Sequence, residues 1–213
     1  MPADSPRSRP VAILFLKAPL FGAVKTRLAA DIGDLAAWRF YRETAQRIGA
    51  RLAGHPEWDL VAAATPRRST RHLRRALPAL SGLPCLDQGE GDLGVRMARC
   101  LDRFAPRPRL LFGADIPGID AGAIGRALGL LRRSDLLFGP AGDGGFWLVG
   151  QRGPARCGGL FDGIPWSSPE TLAATLGNVP GHRRVAFAET LADIDDGAAF
   201  RAWAGGSRLA LFS

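Results

Sequence analysis

With 213 residues, 46% of them hydrophobic, the chain is long enough to bury a full core, yet no apolar run approaches the ~20 residues that cross a bilayer. No bilayer-spanning helix is therefore expected, no leader-like apolar region is read near the start, and a cytoplasmic protein is expected. The formal charge of +8 is uneven, since residues 1–80 hold 14 Lys/Arg against six Asp/Glu while the remainder balances 14 against 14. Without an aromatic-interleaved basic stripe, a zinc-finger spacing or an RNP-like run, that excess reads as solvated surface and no nucleic-acid partner is expected. Cys85, Cys100 and Cys157 lack Cys-x-x-Cys spacing and His55, His72 and His182 are scattered, so disulfides and zinc are not suggested. Any metal here should be held by oxygen.

In chain order, residues 1–10 show no apolar periodicity and are expected to form a flexible tail, with one domain over 11–213. Residues 11–16 are an apolar run of strand length, read as a buried parallel strand. The segment 16–28 that follows contains both lysines of the chain, Lys17 and Lys25, in a composition that otherwise writes its cations as arginine. Two ammonium groups, Arg27, the Thr26 hydroxyl and Gly22 in a loop leaving a first strand suit a polyphosphate. It is not a Walker A loop, because Val24 precedes Lys25 where glycine is required.

Trp38, Tyr41, Ala45, Ile48 and Leu52 recur at three- and four-residue steps, predicting a helix that begins near Asp34. Residues 60–64 read as a second strand, and 67–75 as a basic, solvated helix. Gln88 to Gly94 is a glycine-rich entry to a helix carrying Leu93, Met97, Leu101 and Phe104, able to receive an anion or a base; its alternative is a plain loop with Asp92 at a helix start. Residues 109–113 form a strand that ends just before Asp115, where a hard cation could bridge the carboxylate to a diphosphate; capping the next turn is the alternative. Asp120 is placed to cap a helix with Ile124, Leu128 and Leu131. Extended runs follow at 136–138 and 146–149. The glycine-rich loop 139–145 between them permits close ligand approach, or is a hairpin turn at Asp143-Gly144.

Alternating strands and helices predict an α/β fold with a mostly parallel sheet and helices on both faces. Ligands then bind beyond the carboxyl ends of the strands, which puts the loops 17–27, 87–94, 113–118 and 139–145 on one rim.

Five ordered motifs carry a resemblance. Lys-Ala-Pro-x-x-Gly-x-Val-Lys-Thr-Arg-Leu at 17–28, Gln-Gly-x-Gly-Asp-Leu-Gly-x-Arg-Met at 88–97, Gly-x-Asp-Ile-Pro-Gly at 113–118, Gly-Pro-Ala-x-Asp-Gly-Gly at 139–145 and Ile-Pro-Trp-Ser-Ser at 164–168 resemble a bacterial family of GT-A-fold transferases. Its members are described as nucleotide-diphospho-sugar transferase-like, or as glycosyltransferases associated with arsenosugar biosynthesis, and share their fold with molybdenum-cofactor and phospholactate guanylyltransferases. The resemblance implies that Lys17, Lys25 and Arg27 hold nucleotide phosphates in a loop with Ala18, Pro19, Gly22 and Thr26, and that Gln88 lies near the base with Gly91 and Asp92 beside it. It further implies that Asp115 binds Mg2+ or Mn2+ and that Asp143 faces the transferred group, making Asp115, Asp143 and Lys25 the catalytic set. A second carboxylate, Asp195 or its neighbour Asp193, would complete the metal site, though Asp195 could instead cap the final helix. Phe146-Trp147 departs from the tyrosine more usual after Asp-Gly-Gly.

The expected function is metal-dependent glycosyl transfer from a nucleotide sugar to a small-molecule acceptor. The alternatives are nucleotidyl transfer from a nucleoside triphosphate with release of pyrophosphate, and a non-catalytic nucleotide-binding regulatory protein. A homodimer is compatible with either.

Overall fold

The computed structural model describes residues 9–66 and 69–209. In chain order the elements are β1 (Val11–Lys17), α1 (Thr26–Ile32), α2 (Asp34–Leu52), β2 (Asp59–Thr65), α3 (Thr70–Ala76), a 3₁₀ turn (Pro78–Leu80), β3 (Cys85–Asp87) and α4 (Leu93–Asp102). They continue with β4 (Arg109–Gly113), α5 (Ala121–Leu131), β5 (Leu136–Pro140), β6 (Phe146–Gln151), α6 (Thr171–Gly177), β7 (Val185–Phe187) and α7 (Gly197–Leu209). The strands make one sheet in the order β3-β2-β1-β4-β6-β5-β7, parallel except for β6, which runs against both of its neighbours.

The period of two along β1 divides the core. Ala12, Leu14 and Leu16 face the layer formed with α2, α3 and α5, whereas Val11 and Ile13 face the layer with Met97, Cys100 and Leu101 of α4. Burial on both faces explains why 11–16 is apolar without alternation. A third, smaller cluster joins Leu28, Ala37, Phe40 and Ile194, docking α1 on α2 near the chain's return. At the opposite end of β4 the fully buried Arg109 donates to the carbonyls of Arg107, Gly153 and Ala155.

The structure bears out the α/β class and the helix from Asp34, and Asp120 accepts from the Ala123 amide as the cap of α5. Several expectations change. The expected tail of 1–10 has its first eight residues outside the described ones, while Arg9 pairs with Asp59 and the Pro10 carbonyl accepts from the Asp59 amide, so 9–10 belong to the body. The segment 16–28 is a loop only as far as Lys25, because Thr26, Arg27 and Leu28 form the first turn of α1, held there by burial of Leu28. The loop 139–145 is a hairpin turn joining β5 to β6. Arg71, Arg74 and Arg75 of the basic run are solvent-exposed on α3; Arg67 and Arg68 lie outside the described residues.

Candidate functional site

Strand order reverses between β1 and β4, since from β1 the sheet steps outward to β2 and β3 on one side and to β4 on the other. Loops leaving these two strands diverge and open a crevice at their carboxyl ends. A cavity of about 440 Å³ lies there. Its walls include Lys17, Lys25, Thr26 and Arg27 from the segment after β1, Asp115 after β4, Asp195 before α7, and Gln88 and Arg96 from the β3–α4 side.

Lys25 is the electrostatic centre. Its Nζ lies 2.9 Å from Asp115 Oδ2, 2.8 Å from Asp193 Oδ1 and 3.1 Å from Asp195 Oδ1, with only 4% of the side chain exposed. Burial works to lower the ammonium's pKa, but the Asp115 and Asp193 carboxylates outweigh it and hold the group well above the ordinary lysine value. Asp193 is also raised, above its usual carboxylate range, by burial and by the Asp115 charge against the pull of Lys25. Arg27, largely exposed, reaches Asp195 Oδ2 at 3.3 Å. Asp195 does not cap the last helix: Asp196 Oδ1 accepts from the Ala199 amide and Asp31 Oδ2 from the Gly197 amide, leaving both Asp193 and Asp195 turned to the site.

The backbone of this region is held against its preferences. Lys25 (φ 49°) and Ser167 (φ 61°) are the non-glycine residues of positive φ among those described, and both line the cavity. Left-handed backbone at such residues costs about 1–2 kcal/mol and is concentrated at ligand sites. The end of β1 is fixed by Tyr41, whose buried hydroxyl accepts from the Lys17 amide at 3.0 Å and donates to the Lys17 carbonyl at 2.8 Å. Burial, reinforced by the negative charge of Asp115, keeps that phenol protonated.

Sequence reading and geometry differ at several residues. Lys17 is exposed on the rim, Lys25 is buried, and Ala18, Pro19 and Gly22 shape the turn between them without lining the cavity: the Pro19 carbonyl accepts from the Trp38 indole, and Gly22 takes φ 73°. Gln88 is fully buried; its Nε2 donates to the Leu16 and Ala63 carbonyls and its Oε1 accepts from Arg96 Nη1, so both of its N–H groups are already committed. Asp92 caps α4 through the Val95 amide, the bland alternative for that motif, and Gly91 (φ 111°) provides the turn before it. Asp143 is exposed and accepts from the Gly145 amide inside the hairpin turn, outside the cavity wall. Trp147 is buried with its indole N–H on the Glu189 carbonyl, tying β6 to the chain that leads into Asp193. Arg96, Tyr41 and Ser167 were given no site role from sequence. Tyr41 read as one more apolar helix position, whereas Arg96 and Ser167 stand inside recognised motifs and carried that signal unread.

The donor set suits a hard cation. Three carboxylates oppose two cationic groups, Lys25 and Arg27, so the cluster retains negative charge, and all available donors are oxygen. Among the described residues there is no preformed cage of three or more ligating side chains, because the ammonium of Lys25 stands between the carboxylates. Entry of a divalent ion requires that ammonium to give way.

Fold and crevice together define an α/β protein of the nucleotide-diphospho-sugar transferase fold. A structure from Desulfovibrio desulfuricans G20, proposed to be a nucleotide-diphospho-sugar transferase, superposes with a TM-score of 0.77 at 28% identity, covering 89% of this chain and 83% of that one. At lower identity, where the likeness shows the fold alone, CMP:2-keto-3-deoxy-manno-octonic acid synthetase complexed with CTP gives 0.54 at 12%, covering 95% and 99% of the two chains. Rv0371C in complex with manganese, from Mycobacterium tuberculosis H37Rv, gives 0.50 at 16%, covering 92% and 97%. No curated protein matches the chain. Residues 43–168 match the family described as "Uncharacterized protein conserved in bacteria (DUF2064)", and the chain belongs to that family.

Proposed function

We propose that the protein is a divalent-cation-dependent transferase that takes a nucleotide sugar as donor and passes the glycosyl group to a small-molecule acceptor. The observation that carries this reading is the meeting of Asp115, Asp193 and Asp195 around Lys25 at the strand-order reversal, beside a crevice large enough for a nucleotide. The 28% identical neighbour is a proposed nucleotide-diphospho-sugar transferase, which favours glycosyl over nucleotidyl transfer. Fold relatives described with CTP or manganese are in keeping with a nucleotide and a cation at this rim.

Asp115 would hold Mg2+ or Mn2+ together with Asp195 or Asp193. When bound, the cation supplies Lewis-acid neutralisation of the donor's diphosphate. In glycosyl transfer the bond from the sugar's anomeric carbon to the diphosphate oxygen breaks as the acceptor's hydroxyl oxygen bonds to that carbon and gives up its proton to solvent, and negative charge grows on the departing nucleotide. Lys25, Lys17 and Arg27 are the cations on the rim where that charge appears. Tyr41 keeps the Lys17 backbone in place while it does. Asp143 is given no chemical step, since its carboxylate is engaged in the hairpin turn.

The test is an incubation with a panel of nucleotide sugars and candidate acceptors in the presence of Mn2+, read by product mass. Manganese-dependent release of a nucleoside diphosphate is expected; release of pyrophosphate from a nucleoside triphosphate with a sugar phosphate as acceptor would replace glycosyl by nucleotidyl transfer.

A further inference from the structure

We infer that Arg96 selects the donor's base, favouring nucleotides that present a ring carbonyl oxygen, as guanine, hypoxanthine and uracil do, over those that present an amino group there, as adenine and cytosine do. This rests on the nucleotide-donor reading above. The motif at 88–97 contains Arg96, but the phosphate and cation chemistry leaves it without a task.

The placement is specific. Gln88 and Arg96 come from the β3–α4 side of the crevice, whereas Asp115 follows β4 across the end of β1, so a ligand with its diphosphate at Lys25 extends toward Arg96. The same cavity has Phe15, Leu93, Met97 and Leu111 in its wall, an apolar surface suited to a flat ring. Arg96 forms no ion pair among the described residues. Its Nε donates to the Asp92 carbonyl at 3.2 Å and its Nη1 to Gln88 Oε1 at 2.8 Å. Gln88 is itself fixed, being fully buried with Nε2 bonded at 3.0 Å to the Leu16 carbonyl and at 2.8 Å to the Ala63 carbonyl.

This relay sets the sign of recognition. Guanidinium is a donor only, and two of its five N–H groups are used, so those that remain point Arg96's demand at acceptors. Both amide hydrogens of Gln88 are taken, which prevents it from turning to offer a different pattern. A ring carbonyl meets the arginine as an acceptor; an exocyclic amino group in the same position sets donor against donor and leaves N–H groups covered by the bound base unmatched. Gln88 is thus a positioning residue and Arg96 the one that meets the base.

The clean comparison is inosine diphosphate against adenosine diphosphate, which differ in the purine by a 6-oxo group and its N1 proton against a 6-amino group, with uridine and cytidine diphosphates as the pyrimidine pair. Calorimetric titration of the wild-type protein with Mn2+ present is expected to show about tenfold or more tighter binding of the oxo member of each pair. In Arg96→Met, both members of each pair should bind with equal affinity at roughly the weaker wild-type value. Equal binding by the wild type, or a preference for the amino bases, overturns the inference, as does a preference that survives in Arg96→Met. The wild-type comparison needs no variant to fold. If none of the four nucleotides binds, it is the nucleotide-donor reading itself that fails, which separates the two claims.

Discussion

Lys25 has two possible partners at different stages, the carboxylates it touches now and the phosphates its position favours. Its buried ammonium serves Asp115, Asp193 and Asp195 as counter-ion, so it competes with any divalent ion for the same oxygens. Lys25→Met should therefore bind Mn2+ alone more tightly than the wild type, by about tenfold in calorimetry, while its affinity for a nucleoside diphosphate falls. Without added cation the variant should lose on the order of 2 kcal/mol, between the limits for exposed and buried pairs, because three carboxylates lose their partner. Unchanged or weaker Mn2+ binding would contradict the competition. The sequence alone reads both lysines as exposed loop cations, and burial of one could not be inferred because the carboxylates around Lys25 come from positions 115, 193 and 195.

The same contrast has a direct chemical readout. The chain has two lysines, so reductive methylation resolved by peptide mass should modify the exposed Lys17 readily at pH 8 and leave Lys25 protected. The folded-state pKa of Lys25 is raised above the ordinary 10.5, so its ion pairing stabilises the fold fully below that pH and is lost only as pH rises through the higher folded value. Between pH 6 and 9 no stability change should trace to it. Equal labelling of both lysines would show that the cluster does not hold the ammonium.

At the scale of elements, α7 and the strand-like approach to it divide three neighbouring carboxylates between structure and site. Asp196 caps α7, whereas Asp193 and Asp195 face Lys25. Asp196→Ala should cost about 1 kcal/mol in denaturant unfolding and leave Mn2+ affinity intact; Asp195→Asn should do the reverse. The hairpin after β5 makes a further demand, because Gly144 has φ +85° and a Cβ there would stand 2.2 Å from the Pro169 carbonyl oxygen. Gly144→Ala is expected to destabilise by about 1–3 kcal/mol, measured by thermal unfolding.

These elements also show what was legible beforehand. Strands 11–16 and 109–113 and the helices from Asp34 and Asp120 could be read because apolar runs and three- and four-residue periods survive in the sequence. α1 could not, being a seven-residue helix whose place depends on burying Leu28 against α2. The rim assignment of Asp115 followed from strand order, whereas a role for Asp143 rested on the motif's resemblance; one of its carboxylate oxygens accepts from the Gly145 amide in the hairpin turn. Gln88 does lie on the expected rim, but the contacts that fix it and let it hold Arg96 are 25 and 72 residues away in sequence and left no local signal.

For the whole molecule, a net charge of +8 would attract any polyanion. The crevice at the β1–β4 reversal brings Lys25 and Arg27 together with three carboxylates that a divalent ion could join. Binding to DNA or RNA should consequently be weak, near 10⁻⁴ to 10⁻⁶ M at physiological salt, and independent of sequence in filter or anisotropy assays. No helix among the described residues is long and apolar enough to cross a membrane. Cation and nucleotide are expected to meet at Asp115. Titration of uridine or guanosine diphosphate into the protein, with Mn2+ and then with a chelator, tests it most directly when wild type and Asp115→Asn are compared. The expected result is nucleotide binding that depends on Mn2+ in the wild type and falls at least tenfold in Asp115→Asn, whose unfolding temperature stays close to wild type; nucleotide binding indifferent to chelation, or intact in Asp115→Asn, would contradict it.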